Sequence, residues 1–380
     1  MPKERLNKTR RVVVKLGSNV ITASNSLNLE VIDAISRQIS VLNDRGIEVI
    51  LVSSGAMAAG LRKMKMDGRP DEIPKRQAIS AIGQTGLMNA YEKSFEIFGK
   101  KVAQILLTSE DLNNRKRYLN VRNALYTLIN WGVVPIVNEN DTIMIDEIKL
   151  GDNDNLAAMI TLLLDADFLF ILTDIDGLYN KDPRVFEDAK LISCVTTFEE
   201  KIDMYASGIP GRLGTGGMLS KIEAARKVTS AGIPMIVAKG DTKDVLLRLF
   251  QGEKLGTYFT PRNEKMTSRK CWIAHTITTK GSITIDNGAA HAVSENGKSL
   301  LPIGVVGVHG NFEEGAAVCF QTVAKEILGT GLVNYRSSDI NLIKGLKTSQ
   351  IESCLGGKHY DEIIHRDNLV LNNYSQINKG

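Results

Sequence analysis

Short β-branched strands alternate with amphipathic helices along residues 11–259, and this alternation constrains the fold more than any other feature of the sequence. Residues 11–15 form a β-branched run that leads into Gly17 and Ser18, residues 29–45 have apolar side chains at helical spacing, and residues 48–52 form a second apolar run. Further helices are predicted at 77–98, 115–131, 155–164 and 217–231, and further strands at 102–107, 133–137, 168–172 and 234–238. Strands that are apolar on both faces predict an α/β fold with a parallel-rich central sheet and helices on both faces.

The pattern changes after residue 259. Long amphipathic helices give way to short strand-like runs and glycines, which fall at 282–286, 304–310, 317–320 and 329–334. Pro261, Arg262 and Asn263 have the composition of a linker. We therefore predict an α/β domain over residues 1–262 and a small, mostly β domain over residues 270–380.

Composition excludes several classes of protein. The 380 residues are 43% hydrophobic and 24% charged, which excludes a disordered chain and a small disulfide scaffold. The 47 basic and 43 acidic residues leave a net charge of +4 without a long block of like charges. This balance does not predict a nucleic-acid-binding protein, although it is compatible with an anionic small ligand.

The location expected from the sequence is the cytoplasm. None of the four cysteines forms a CxxC pair, and so few cysteines indicate a reducing compartment. The basic N-terminus is not followed by the apolar core of a signal peptide. The most apolar stretch, residues 156–172, is interrupted by Asp165 and Asp167, so no membrane span is expected.

Polar or glycine-rich residues follow four of the predicted strands. In open α/β sheets, ligands bind beyond the carboxyl ends of the strands, so these four ends predict one composite site. They comprise Lys15 to Ser18, Ser53 to Gly55, Asn138 to Asp141, and Thr173 with Asp174.

Two other segments are candidates for this site, one as a phosphate loop and the other as a cap that orients lysines and binds substrate. Residues 214–217, Gly-Thr-Gly-Gly, open the helix that contains Lys221, and a glycine loop before a helix brings backbone N–H groups close to phosphate. Alone, this loop is equally compatible with a surface turn. Residues 151–155 place Asp and Asn at a predicted helix start, where they serve as caps or as substrate ligands. There is no Walker A motif, because Ala292 stands where its first glycine is required ahead of Lys298.

The candidate site contains no histidine. All five histidines lie in the last third of the chain, at positions 275, 291, 309, 359 and 365. Lysines, glycine loops and carboxylates without a histidine base suit phosphoryl transfer to an acceptor that is already ionised, such as a carboxylate. Such a reaction requires alignment and charge neutralisation.

Six motifs together resemble the glutamate 5-kinase family of the amino acid kinase superfamily, over essentially the whole chain. They are VVVKLGSNV (12–20), VSSGAMAAG (52–60), VNENDT (137–142), KLGDNDNLAA (149–158), LTDIDGLYNKDPR (172–184) and GTGGMLSK (214–221). The C-terminal region is similar to a PUA domain. Two departures from the family pattern are Ser53, where Thr is expected, and Leu219-Ser220 in place of Ser-Thr.

The resemblance implies a role for each of several residues. Lys15 and Lys221 would flank the transferred phosphoryl group, and Asp154 would hold both lysines. Glutamate would be bound by Ser54, Asp141 and Asn153. ATP would be contacted by Lys15, Thr173, Asp174, Thr215, Gly216, Gly217, Met218, Leu219, Ser220 and Lys221. Mg²⁺ would bridge the phosphates, with no protein ligand assigned to it. The resemblance also implies a homo-oligomer, either a dimer or a tetramer, and feedback inhibition by proline.

Two alternative functions are weighed against this one. The first is a superfamily kinase that acts on acetylglutamate, aspartate or a nucleoside monophosphate; the NENDT and GDNDN segments and the PUA-like region argue against it. The second is RNA binding through residues 270–380, because PUA folds elsewhere bind RNA. This region has no strong basic run, so nucleic acid is not an expected partner.

Overall fold

The computed structural model describes residues 3–23, 26–143, 153–198, 202, 205, 217–262, 266–275, 278–357 and 360–372. Contacts divide the chain into an N-terminal unit, Met1–Lys265, and a C-terminal unit, Met266–Gly380. Among the described residues, no helix combines the length and the apolar character needed to cross a membrane.

An eight-stranded sheet lies at the centre of the N-terminal unit, in the order β5-β6-β4-β1-β7-β9-β10-β8. Its first six strands in this order are parallel, and β10 is antiparallel to β9. This confirms the predicted parallel-rich sheet. The strands, including a separate hairpin of β2 and β3, are β1 (Arg11–Leu16), β2 (Thr22–Ala23), β3 (Ser26–Leu27), β4 (Glu48–Ser53), β5 (Lys101–Leu107), β6 (Val133–Glu139), β7 (Phe168–Thr173), β8 (Cys194–Val195), β9 (Met235–Lys239) and β10 (Thr257–Phe259).

The helices of the N-terminal unit cover both faces of this sheet. Alternation along β1 directs Val12, Val14 and Leu16 into a core shared with α3 and α5, while α8 packs on the other side against β1, β4, β6 and β7. The helices are α1 (Lys3–Asn7), α2 (Ser18–Ile21), α3 (Leu29–Asp44), α4 (Ala56–Lys63), α5 (Ile73–Glu96), α6 (Ser109–Asn113), α7 (Arg115–Asn130), α8 (Asn153–Leu163), α9 (Met218–Ser230) and α10 (Val245–Phe250), with a 3₁₀ helix at Asp141–Ile143.

The α4 and α5 helices cross with their backbones in contact. A Cβ atom added to Gly83 of α5 would lie 1.7 Å from the carbonyl oxygen of Ala56. A Cβ atom added to Gly60 of α4 would lie 2.0 Å from the carbonyl oxygen of Ile79. The sequence did not predict α4, whereas Gly83 lies inside the helix predicted at 77–98. The close crossing explains the glycine, since any larger residue would separate the two helices.

The C-terminal unit is a five-stranded sheet with short helices around its own apolar core, in the strand order β12-β11-β13-β14-β15. All neighbouring pairs are antiparallel except β11 with β13. The predicted β-rich character is confirmed. Its strands are β11 (Ser282–Ile285), β12 (Val305–His309), β13 (Ala317–Thr322), β14 (Ile327–Leu332) and β15 (Leu369–Leu371). Its helices are α11 (Ser268–His275), α12 (Asn287–Ser294), α13 (Ser337–Ile343) and α14 (Ile351–Leu355), with 3₁₀ turns at Pro302–Gly304, Thr348–Gln350 and Arg366–Asn368.

Candidate functional site

The carboxyl ends of the parallel strands carry the polar residues that the sequence singled out. Strands β1, β4, β6 and β7 are parallel neighbours or are linked through parallel neighbours, so they end at the same edge of the sheet. Lys15 lies near the end of β1, Ser54 directly follows β4, and Thr173 is the last residue of β7. This edge therefore collects side chains that are far apart in the sequence.

A lysine–aspartate cluster of Lys15, Asp154 and Lys221 lies at this edge. The Lys15 Nζ atom is 2.5 Å from Asp154 Oδ1, and the Lys221 Nζ atom is 3.0 Å from Asp154 Oδ2. Asp154 has no exposed surface, and the two lysines are 3% and 5% exposed. Burying charges is expensive unless they are paired, so such a cluster is rarely a by-product of packing. Burial also shows that Lys221 is not a solvated surface lysine.

Helix α8 places Asp154 at this cluster because strand β1 holds it at both ends. Lys15 and Arg11 lie on the same face of β1, four residues apart. Lys15 contacts Asp154 in the first turn of α8, and Arg11 Nη1 donates a 2.6 Å hydrogen bond to the carbonyl of Leu164, just beyond its last turn. The helix thus runs antiparallel to the strand. Four strand residues span about 13 Å and ten helical residues about 15 Å, so the two lengths match.

A second group, the amide–hydroxyl cluster of Ser54, Asn138 and Asn153, adjoins the first. The Asn153 Nδ2 atom donates to Ser54 Oγ at 2.7 Å and to Asn138 Oδ1 at 3.1 Å. Asn138 is itself 4% exposed, and its Oδ1 also accepts from the backbone N–H of Glu139. The Asn153 Oδ1 atom is buried and accepts no hydrogen bond from the part of the chain that the structure describes. This oxygen is a free acceptor beside the lysine–aspartate cluster.

Thr173 and Asp174 join the site from the end of β7. The Thr173 hydroxyl donates to Asp174 Oδ1 at 3.1 Å, and the Asn19 amide donates to Asp174 Oδ2 at 2.9 Å. Partial burial alone would raise the pKa of Asp174, but these hydrogen bonds and the nearby charge of Lys221 outweigh it and lower the pKa. Asp174 is therefore held ionised close to Lys221.

Asp141 stands apart from these contacts, in the 3₁₀ helix that packs against α5. Burial raises the pKa of its carboxyl, and the Ser80 hydroxyl and the Arg69 charge offset only part of this effect. A carboxylate that is costly to ionise in the folded protein is well placed to gain from a cationic ligand.

The structure brings together most of the residues that the sequence singled out, and it moves the start of the helix that carries two of them. Helix α8 begins at Asn153 rather than at the predicted residue 155, so Asn153 and Asp154 lie inside its first turn. Gly217 is the N-cap of α9, Met218 is buried and Leu219 is exposed. Thr215 and Gly216 lie outside the described residues.

Sequence reasoning missed two contributors to the site. Asn138 was noted only as part of a polar strand end, and Asn19 was not singled out. Nothing local distinguishes either amide from an ordinary loop residue. Their position next to predicted strand and turn ends was the one signal that pointed to them.

No preformed metal centre is found among the described residues. They contain no group of three or more His, Cys, Asp or Glu side chains that could hold a metal ion. The one carboxylate of the lysine–aspartate cluster already accepts from two lysines. Asp174 is a second carboxylate at this edge, and it already accepts hydrogen bonds from Thr173 and Asn19. These residues would be compatible with a divalent cation that arrives bound to phosphate, because Mg²⁺ is commonly held by one or two carboxylates together with substrate phosphates.

Two of the cavities formed by the described residues lie in the C-terminal unit, whereas the site residues discussed above belong to the N-terminal unit. The larger, of about 790 Å³, is lined by both acidic and basic side chains, including Asp286, Lys298 and Arg366. The smaller, of about 460 Å³, is lined by Glu313, Arg336 and their neighbours. Neither combines buried charges of the kind found at the strand ends of the N-terminal unit.

Comparison with known proteins shows two family matches and many full-length relatives. Residues 10–239 match the Amino acid kinase family, and residues 281–355 match the PUA domain. The chain is 48% identical over 362 residues to the glutamate 5-kinase of Thermoanaerobacter sp. (strain X514), covering 95% of this chain and 97% of that protein. It is 50% identical over 366 residues to the glutamate 5-kinase of Syntrophus aciditrophicus (strain SB), covering 96% and 95% respectively.

Solved structures of isopentenyl phosphate kinase are also similar. One aligns with a TM-score of 0.47 at 15% identity, covering 66% of this chain and 100% of that chain. A product complex of the T. acidophilum enzyme aligns with a TM-score of 0.45 at 18% identity, covering 66% and 99% respectively.

Proposed function

The chain belongs to the amino acid kinase family, and from this premise we propose that it is a glutamate 5-kinase. It transfers the γ-phosphoryl group of ATP to the side-chain carboxylate of L-glutamate, which gives L-glutamyl 5-phosphate in the first step of proline biosynthesis. The full-length relatives named glutamate 5-kinase support this assignment. The observation that carries it is the buried lysine–aspartate cluster at the strand ends.

The reaction needs charge stabilisation more than proton transfer. A glutamate carboxylate oxygen forms the new bond to the γ-phosphorus while the bond to the β–γ bridging oxygen breaks, and ADP leaves with that electron pair. The carboxylate is already ionised at neutral pH, so no general base is required. Lys15 and Lys221 flank the transferred group and stabilise the charge that moves through it. Asp154 keeps both ammonium groups in place.

ATP binds along α9 and the end of β7 in this proposal. Gly217 at the N-cap of α9 supports phosphate binding, because a helix N-terminus presents free N–H groups. Lys15 and Lys221 hold the phosphates that carry Mg²⁺, and this ion neutralises phosphate charge when bound. The remaining ATP contacts are assigned to Thr173, Asp174, Thr215, Gly216, Met218, Leu219 and Ser220.

Glutamate binds to Ser54, Asp141 and Asn153. The free Asn153 Oδ1 acceptor and the Asp141 carboxylate both suit an α-ammonium group. Asn138 supports this arrangement by fixing the Asn153 amide.

We further propose a homo-oligomer, either a dimer or a tetramer, that is inhibited by proline. None of the four cysteines, all of which lie in the described part of the chain, is in a disulfide bond, which supports a reducing cytoplasm as the location.

Trapping the acyl phosphate with hydroxylamine tests this function. Glutamate should give ATP- and Mg²⁺-dependent hydroxamate, whereas acetylglutamate should give almost none, because acetylation removes the ammonium group that Asp141 pairs with. Aspartate is assayed in parallel, and ADP release is measured with nucleoside monophosphates. Equal turnover of glutamate and acetylglutamate would contradict the assignment of glutamate as the specific substrate. ADP release with a nucleoside monophosphate but not with glutamate would also contradict it.

A further inference from the structure

The Ser220 hydroxyl contacts the buried carboxylate on which the whole cluster depends. Its Oγ atom lies 2.9 Å from Asp154 Oδ2, the same oxygen that accepts from Lys221. It also lies 2.8 Å from the backbone carbonyl of Gly217, the N-cap of α9. Ser220 thus connects the first turn of α9 to the first turn of α8, through Asp154.

A serine hydroxyl has one proton, so it donates to only one of these two acceptors at a time. The carbonyl of Gly217 and the Asp154 carboxylate therefore compete for it. Lys221 approaches the same two oxygens, with its Nζ atom 3.0 Å from Asp154 Oδ2 and 3.5 Å from the carbonyl of Gly217. Ser220 and Lys221 therefore share the same two acceptors.

We propose that Ser220 is a positioning residue that acts on Lys221 through Asp154. Its hydroxyl fixes the plane of the carboxylate, so that Oδ1 faces Lys15 and Oδ2 faces Lys221. When Lys221 turns its ammonium towards the transferred phosphoryl group, the Ser220 hydroxyl stays as a donor to Oδ2 and holds the carboxylate in the same plane. The buried oxygen therefore keeps a donor throughout the reaction.

This inference rests on the proposed function, and it differs from the ATP contact that the family resemblance implies for Ser220. A residue that contacts ATP stabilises the ground state and the transition state alike, so its loss raises KM for ATP. A residue that positions Lys221 acts mainly in the transition state, so its loss lowers kcat.

Three variants of the full chain separate these roles. Ser220→Ala removes the hydroxyl, and Ser220→Thr keeps it. Ser230→Ala is the matched control, because the Ser230 hydroxyl makes the same type of bond to the carbonyl three residues earlier in α9, at 2.8 Å. We measure kcat, KM for ATP and glutamate, and melting temperature for each.

Ser220→Ala should lower kcat roughly tenfold and leave both KM values within about twofold, the pattern expected when a transition-state interaction is lost. Ser220→Thr should restore kcat, and Ser230→Ala should leave it near the wild-type value. A raised KM for ATP at unchanged kcat would assign Ser220 to ATP contact instead. Equal loss of kcat in Ser220→Ala and Ser230→Ala, or in Ser220→Ala and Ser220→Thr, would reduce its role to helix structure.

A crystal structure of Ser220→Ala tests the inference without any assay of activity. The Asp154 carboxylate should be rotated, with at least one of its contacts to Lys15 and Lys221 lengthened. If both contacts are unchanged, the positioning role is wrong, whatever the substrate. If the wild-type chain yields no hydroxamate but the carboxylate rotates in the variant, the proposed function fails and the positioning role stands.

Discussion

The two units of the chain differ sharply in what they bury. Among the described residues, every buried polar or charged side chain except Ser337 lies in the N-terminal unit. Ser337 has an evident structural role, since its hydroxyl accepts from the backbone N–H of Phe312 and donates to Asn311. The C-terminal unit is thus built like an ordinary small domain, with an apolar core and charges at its surface.

The difference shows how a functional site can be located without a ligand. Burial of charge costs folding energy, and the N-terminal unit accepts this cost at one edge of its sheet, where Lys15, Asp154 and Lys221 meet. The parallel sheet of the N-terminal unit brings these distant residues together, because neighbouring parallel strands all end at the same edge. The mainly antiparallel sheet of the C-terminal unit divides its strand ends between two edges.

The largest expected effect tests whether buried charge marks the active unit. Lys221→Met should lower kcat roughly 100-fold or more, because it removes a preorganised cation from the transferred phosphoryl group. KM should change less, since Met retains the apolar stem. The matched control is Lys298→Met, an exposed lysine of the C-terminal unit, which should leave kcat unchanged. Near-normal kcat and melting temperature in Lys221→Met would remove this residue from the catalytic group.

A second test asks whether the N-terminal unit depends on close packing as well as on charge. Gly83→Ala should destabilise it by about 3 kcal/mol or more, because the new Cβ would overlap the carbonyl oxygen of Ala56 and force α4 and α5 apart. Gly86→Ala is the control on the same helix, since its nearest neighbour would be the Cβ of Ala59 at an ordinary 3.8 Å. That change should be neutral or stabilise by up to about 1 kcal/mol. Denaturant melts with similar midpoints for both variants would contradict the crossing.

A third test concerns the stability that the protein loses because the Asp141 carboxyl is partly buried. The pKa of Asp141 is raised in the folded protein, so its ionised form opposes folding. The stability contributed by the protonated Asp141 side chain is complete below its unfolded-state pKa, and it is lost as the pH rises through its folded-state pKa. Asp141→Asn should therefore stabilise the protein near pH 7.5 by about 0.5–2 kcal/mol, with KM for glutamate raised. The stabilisation should disappear near pH 4; melts that show an equal gain at both pH values would be evidence against this origin.

The smallest expected effect separates the two units. A chain that ends after Arg262 should fold and keep kcat within about threefold, because all candidate site residues precede this point and the N-terminal unit has its own core. Size-exclusion chromatography and the hydroxamate assay check this. A monodisperse protein that binds neither ATP nor glutamate would mean that the site extends beyond the N-terminal unit.

Sequence periodicity predicted the long elements of the fold and missed the short ones. Strand β1 and helix α3 have enough alternating or helically spaced apolar residues to be recognised within one residue of their observed ends. Strands β8 and β10 contain two and three residues, and α10 contains six, so pattern alone could not detect them. Their conformation depends on neighbours that are distant in the sequence, such as β9 for β10.

The candidate site was predictable as a location more than as a set of contacts. Parallel topology accounts for the meeting of the strand ends, but no spacing rule relates Lys15 to Asp154, which is 139 positions away. That pairing came from the family resemblance. The bond between Asn153 and Asn138 escaped both approaches, because an amide that orients another amide leaves no pattern in a single sequence.

The double attachment of α8 to β1 limits how this segment of the gene can change length. One residue inserted between Asp154 and Leu164 would lengthen the helix by about 1.5 Å and rotate its ends by about 100° relative to each other. With Leu164 held by Arg11, the Asp154 carboxylate would then face away from Lys15. Insertions and deletions should therefore be absent from residues 154–164 in active homologues, while single substitutions among the apolar residues remain tolerable.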